Sequence, residues 1–228
     1  MLNTDNANIA LVKITAKKLG NLLDKVVFLG GAVTSLFITD RATFQIRPTQ
    51  DVDVIIELAS RMAYYQLEKQ LLNLGFKHDQ AKDAPFCRWI VDGIKVDVMP
   101  TSSEILGFSN CWYSASVKTA QYVELEENLV IKLVTVPYFL ATKIEAFEGR
   151  GQNDYLASHD LEDIVTVIDG RPEIIGEVRA VDGVLNCYLR EKFTDFLQNE
   201  NFLDALPGHL QDERRVSVFI KRLKEIIN

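Results

Sequence analysis

The sequence has little cysteine, no long apolar run and no basic excess, and each shortage excludes a class of protein. Cys87, Cys111 and Cys187 are its only cysteines. They lie far apart and make no Cys-x-x-Cys pair, so neither a zinc site nor a disulfide framework is indicated. No apolar stretch reaches the length of a membrane span, and no membrane partner is expected. The opening residues, MLNTDNANIA, lack the basic start and apolar centre of a secretory signal. The expected location is therefore cytoplasmic. The 25 Lys and Arg against 32 Asp and Glu give a formal net charge of −7, which argues against a broad, sequence-independent grip on nucleic acid. A local basic patch and a small nucleotide substrate both stay compatible with that charge. There is no internal repeat and no low-complexity segment. With 228 residues, 47% of them hydrophobic, the chain can build one large domain or two small ones.

The most informative stretch runs from Val26 to Ile56, VVFLGGAVTSLFITDRATFQIRPTQDVDVII. Val26 to Leu29 is a short β-rich run. Gly30 and Gly31 follow, then a helical patch from Ala32 to Ile38. Asp51-Val52-Asp53 opens a second apolar run, Val54 to Ile56. Two aspartates two apart on a strand point to one face. Side by side they repel, and burying them requires a counter-charge. A divalent cation such as Mg²⁺ meets that need, because it binds a few carboxylates together with substrate phosphates. The glycines let a phosphate approach backbone N–H groups at a helix start. One stretch thus offers a phosphate cradle and a metal clamp.

The remaining pattern alternates strands and helices, then turns helical. Ile9 to Leu23 has the apolar spacing of an amphipathic helix. Ser60 caps a helical run ending at Leu74 and Gly75, and Phe76 to Gln80 is a short strand. Phe86 to Met99 reads as a hairpin about Asp92-Gly93, the sequence of a type I′ turn. Counting outward from that turn pairs Val91 with Ile94, Ile90 with Lys95, Trp89 with Val96, and Arg88 with Asp97. Asp97 is then either a third metal ligand or the salt-bridge partner of Arg88. Thr101 to Ser116 reads as a loop carrying Phe108, Trp112 and Tyr113. Gln121 to Leu125 and Asn128 to Val134 read as strands. Pro137 suits the first turn of a helix over Tyr138 to Phe147. Three helical stretches follow, Ser158 to Ile168, Pro172 to Leu197 and Glu213 to Ile227. The expected fold is α+β: a mixed β-sheet flanked by helices over residues 1–135 and a helical domain over 136–228. One α+β unit with the helices packed back on the sheet is the alternative.

A second polar group opens the helical half: Lys143, Glu145, Glu148, Arg150, Asp154, His159, Asp160, Glu162 and Asp163. Asp160 and Asp163 are three apart and share a helix face. Arg150 stands in the Gly149-Arg150-Gly151 loop. For Glu145, Glu162 and Asp154 a salt-bridge set is the preferred reading.

Gly30-Gly31, then Arg47-x-Thr49-x-Asp51-x-Asp53, then Asp97 resembles the nucleotidyltransferases of the DNA polymerase β superfamily, most of all the branch holding the AbiEii-type toxins. Residues 32–50 form a longer connection than compact members have, and an inserted turn around Thr39 to Arg47 is expected to absorb it. The lysine helix, loop and Asp-x-x-Asp at Lys143 and Asp160 resemble that branch's downstream motifs. The resemblance implies a nucleotidyltransferase-type fold and transfer of a nucleoside monophosphate from an NTP to an acceptor, with Mg²⁺ or Mn²⁺. Asp51, Asp53 and Asp97 would hold the metal, Gly30, Gly31, Thr34, Ser35, Arg47 and Thr49 the nucleotide. Arg47 could clamp phosphate or pair with Asp40 or a neighbour. Lys143 would neutralise phosphate charge and Asp160 would hold Lys143 or a substrate hydroxyl. The implied acceptor is an RNA such as tRNA, a protein, or a small molecule such as an antibiotic, and an antitoxin-like partner is compatible. A non-catalytic nucleotide- or partner-binding module is the rival expectation.

Overall fold

The computed structural model describes residues 6–40, 46–151, 153–210 and 212–228. The fold is α+β, with a mixed sheet of seven strands among the described residues. No helix of these residues is long and apolar enough to cross a membrane. The chain divides into two compact units. One comprises residues 6–35 and 48–135 and holds the whole sheet; the other comprises 36–40, 46–47 and the residues from 136 onward.

In the sheet unit, helix α1 (Ala7–Leu19) starts where the Asn6 side chain accepts the Ile9 amide. Its buried residues, Ile9, Val12, Ala16 and Leu19, follow the helical period. Gly20 has φ +50 and starts a tighter turn, Gly20–Lys25, where the sequence predicts continued α-helix. The strands are β1 (Val26–Leu29), β2 (Asp51–Ile56), β3 (Lys77–His78), β4 (Arg88–Val91), β5 (Ile94–Pro100), β6 (Gln121–Glu126) and β7 (Leu129–Leu133). They lie in the order β3-β4-β5-β2-β1-β7-β6. β2 runs antiparallel to β1 and parallel to β5. Helix α2 (Arg61–Asn73) lies between β2 and β3 in sequence, and Ser60 caps it by accepting the Ala63 amide.

The β4–β5 hairpin has the register expected from its turn, with Arg88 opposite Asp97 and Val91 opposite Ile94. Asp92 and Gly93 both have positive φ, 49° and 79°, which type I′ geometry demands. The stretch expected as loop, residues 101–116, contains α3 (Ser103–Leu106) and the start of α4 (Tyr113–Thr119). Ser102 caps α3 by accepting the Glu104 amide, and Gly107 stops it at φ +85, so helices this short leave only their caps in the sequence.

The helical unit contains α5 (Val136–Arg150), α6 (His159–Gly170), α7 (Ile174–Ala180), α8 (Gly183–Gln198), α9 (Glu200–His209) and α10 (Arg215–Ile227). α5 is buried almost all round, from Val136 through Ile144 and at Phe147, as a central helix must be. Two expectations are corrected. The helical stretch over 172–197 is broken, because Asp182 accepts the amides of Val184 and Leu185 and begins α8 afresh. α9 lies between the stretches 172–197 and 213–227, where the sequence reading places no helix; Asn199 caps it by accepting the Phe202 amide, and buried Phe202 and Leu206 hold it.

Part of the long connection between β1 and β2 belongs to this helical unit. The amides of Thr39 and Asp40 both donate to Gly170 O at 2.9 Å. Arg171 Nη1 donates to Phe37 O at 2.8 Å, and the Phe37 ring lies 4.8 Å from that of Phe139. Asp40 accepts from Arg215, which also holds the buried Asp169. The expected inserted turn over Thr39 to Arg47 falls partly on residues 41–45, outside the described residues.

Candidate functional site

The sequence candidates fall into two groups, one in each unit. In the sheet unit, β2 places Asp51 and Asp53 on one face, while Val52 and Val54 are fully buried on the other. The parallel register of β2 against β5 sets Asp53 beside Asp97 and Asp51 beside Lys95. Register partners project to the same side of a sheet, so all three aspartates share a face. Arg88, across from Asp97 on β4, shares it too.

Arg88 is the hub of this face. Its Nε donates to Asp97 Oδ1 at 2.8 Å and its Nη2 to Asp97 Oδ2 at 2.7 Å. The same Nη2 lies 3.5 Å from Asp51 Oδ2. Hydrogen bonding to Asp97, aided by the charges of Asp97 and Asp51, raises the Arg88 pKa above its ordinary value, so the guanidinium is a permanent cation here. The salt bridge read as one alternative for Asp97 is thus present. Among the described residues, no group of three or more His, Cys, Asp or Glu side chains is gathered closely enough to hold a metal ion. The three carboxylates share a face, with a guanidinium spanning two of them.

Gly30 is the point where this face meets the β1 turn. It has φ +77, and a Cβ built there would lie 2.6 Å from Asp53 Cγ. Only glycine lets the Asp53 carboxylate sit against that turn. Gly31 opens the 3₁₀ turn Gly31–Phe37. Within it, the hydroxyls of Thr34 and Ser35 are buried with no hydrogen-bond partner among the described residues. Buried hydroxyls in that state are exceptions in folded proteins. Thr49, expected to touch nucleotide, donates its hydroxyl to Asp51 Oδ1, and its amide donates to Asn8 Oδ1 at 3.0 Å.

Cys87 immediately precedes β4. It is buried. Burial first, then the charges of Asp97 and Asp53, push its thiol up to about 12. Burial there favours the thiol over the thiolate. Nothing in the sequence marks it, since its surroundings come from two other strands.

In the helical unit, the Lys143 ammonium lies 3.0 Å from Asp160 Oδ1 and 2.7 Å from Asp163 Oδ2. All three residues are at least nine-tenths buried. Arg150, which ends α5 instead of standing in a loop, grips Asp160 from the solvent side with two bonds of 3.0 and 3.1 Å. Burial pushes the Asp160 carboxyl up, but Lys143 and Arg150 outweigh it and hold the pKa below the ordinary value. Arg47 pairs with Asp163 at 3.4 Å and Glu162 at 3.5 Å, while Asp40 pairs with Arg215. Asp163 therefore has a place in the network equal to that of Asp160, as its i+3 spacing allows. His159 is exposed, and its Nδ1 lies 3.4 Å from Glu162 Oε2. Asp154 caps its own turn by accepting the amides of Leu156 and Ala157.

Compared with known proteins, the chain matches no family model and no curated sequence.

Proposed function

We propose that the chain is a nucleotidyltransferase that moves a nucleoside monophosphate from an NTP to an acceptor hydroxyl and releases pyrophosphate. The observation that carries this reading is the register of β2 on β5, with Asp53 beside Asp97 and Asp51 two residues back on the same face. A donor set of carboxylate oxygens alone suits Mg²⁺ or Mn²⁺, and the two orphaned hydroxyls beside Gly31 suit phosphate oxygens. Asp51 and Asp53 would hold the cation, with Asp97 joining when Arg88 gives up its fork. Bound there, the cation would neutralise triphosphate charge and polarise the transferred phosphoryl group.

The chain's own residues would do the rest. The Gly30-Gly31 turn would receive the phosphates, and Thr34 and Ser35 would donate hydroxyl hydrogen bonds to them. Arg88, released from Asp97, would offer two parallel donors to a phosphate.

A second reading has its own support. Because Arg88 occupies both oxygens of Asp97, the face also suits a nucleotide-binding module without turnover. Thermal melts with Mg²⁺ and each of the four NTPs, followed by transfer assays with RNA, protein and small-molecule acceptors, separate the two. A ligand bound only to the folded state at a hundredfold excess over Kd stabilises by about 2.7 kcal/mol. A melt shift with transfer supports the enzyme, a shift without transfer supports the module, and no shift removes both.

A further inference from the structure

A cleft of about 620 Å³ opens in the sheet unit between α2, the β3–β4 connection and α3. That volume lies within the usual range of small-molecule sites. Arg61, Lys82 and Arg88 line it with Glu68 and Asp79; Asp97 and Asp51 hold the Arg88 guanidinium, so Arg61 and Lys82 are the cations that balance the two acids. Glu68 is already engaged by His78 at 3.5 Å. Two large rings on the lining stand in water, Phe86 at 81% exposure and Tyr65 at 59%.

Phe86 is not at the tip of a loose loop. The Asp79 side chain accepts the Ala81 amide, the Ala84 amide donates to Ala81 O, and the Arg88 amide donates to Pro85 O at 2.9 Å. Cys87, the next residue, is buried. An ordered turn therefore presents a phenyl ring to solvent, beside cations. A flat apolar ring next to fixed positive charge is the recognition chemistry for a planar heterocycle carrying an anion: the ring stacks, and the cations take the phosphate.

We infer that this cleft binds a mononucleotide-sized ligand, its base stacked on Phe86 and Tyr65 and its phosphate on Arg61 and Arg88. As the place of the acceptor it rests on the transferase reading above; as a binding site it does not. Arg88 ties the cleft to the aspartate face, because a phosphate that takes its guanidinium competes directly with Asp97.

The test is calorimetric titration of the full chain, without divalent cation and without NTP, using the four nucleoside 5′-monophosphates, ribose 5-phosphate and inorganic phosphate. At least one monophosphate should bind, with ribose 5-phosphate and phosphate about tenfold weaker or worse. Phe86→Ala, at an exposed position that the fold tolerates, should weaken the monophosphate about tenfold, and Phe86→Trp should restore it. Arg61→Ala should weaken phosphate and nucleotide alike. No binding by any monophosphate, or wild-type binding by Phe86→Ala, overturns the inference; equal affinity for bare phosphate overturns the nucleotide class. Because no metal or NTP is present, failure here leaves the transferase reading intact, and binding without transfer counts against that reading alone.

Discussion

Arg88 grips Asp97 through two parallel hydrogen bonds, 2.8 Å from Nε to Oδ1 and 2.7 Å from Nη2 to Oδ2. Asp97 is only 8% exposed, so removing the guanidinium leaves a nearly buried carboxylate short of its main partner. Arg88→Met should lower stability by about 2 kcal/mol without divalent cation. If the aspartate face takes Mg²⁺, the cation should recover part of that loss in the variant while changing the wild type less. Denaturant melts of both proteins, with and without Mg²⁺, measure the difference. An equal loss in both conditions counts against a metal on this face.

Asp53→Asn separates function from fold. Removing one of three carboxylates on a shared face relieves repulsion, so stability without Mg²⁺ should stay level or rise slightly. The Mg²⁺-plus-NTP melt shift and nucleotide transfer should both disappear. The measurement is the wild-type melt series repeated on the variant. An NTP response identical to that of the wild type takes Asp53 out of the site.

Gly30 and Gly93 make a matched pair. Their φ values are +77 and +79, but a Cβ on Gly93 meets nothing within 4 Å, whereas one on Gly30 runs into Asp53. Gly93→Ala should cost only the left-handed backbone term, about 1–2 kcal/mol. Gly30→Ala should cost more, by the displacement of the Asp53 carboxylate, and should reduce any Mg²⁺ or NTP response as well. Chemical denaturation of the two variants gives the difference directly. Equal costs would mean that Asp53 moves aside freely and that the turn does not fix it.

Much of the sheet unit was legible because its signals are local. The Asp92-Gly93 turn sets the hairpin register, and that register brings Arg88 to Asp97. Alternation places Asp51 and Asp53 on one face without reference to any other strand. What stayed hidden depends on contacts distant in sequence. Asp53 beside Asp97 follows from a parallel pairing of β2 with β5 that no short-range pattern encodes. The partners of Arg47 are on α6, more than a hundred residues away, so the sequence offered Asp40 or a near neighbour in their place. Cys87 takes its surroundings from Asp53 and Asp97. The short helices α3 and α9 were missed because a single capping side chain and a few buried residues outweigh weak propensity.

The Lys143 network gives a pH dependence whose sign can be worked out. Asp160 has a folded-state pKa below its ordinary value of 3.8. A carboxyl depressed in the folded state contributes stability that is complete above its unfolded value and is lost as pH falls through the lowered one. At neutral pH, Asp160→Asn should therefore cost about 2 kcal/mol, because Lys143 and Arg150 lose a charged acceptor. The deficit should hold steady down to about pH 5 and then shrink, nearly vanishing once Asp160 is protonated in both folded and unfolded wild type. Lys143→Met should behave differently. It leaves Asp160 and Asp163 buried together without the ammonium between them, and a broken buried pair costs about 3–5 kcal/mol. Acid should then narrow the gap between this variant and wild type, since protonation removes the repulsion as well as the pairing. Unfolding free energies of the three proteins from neutral pH to pH 3 are the measurement. A deficit in Asp160→Asn that grows as the pH falls would contradict the depressed pKa and would leave Lys143 held by Asp163 alone.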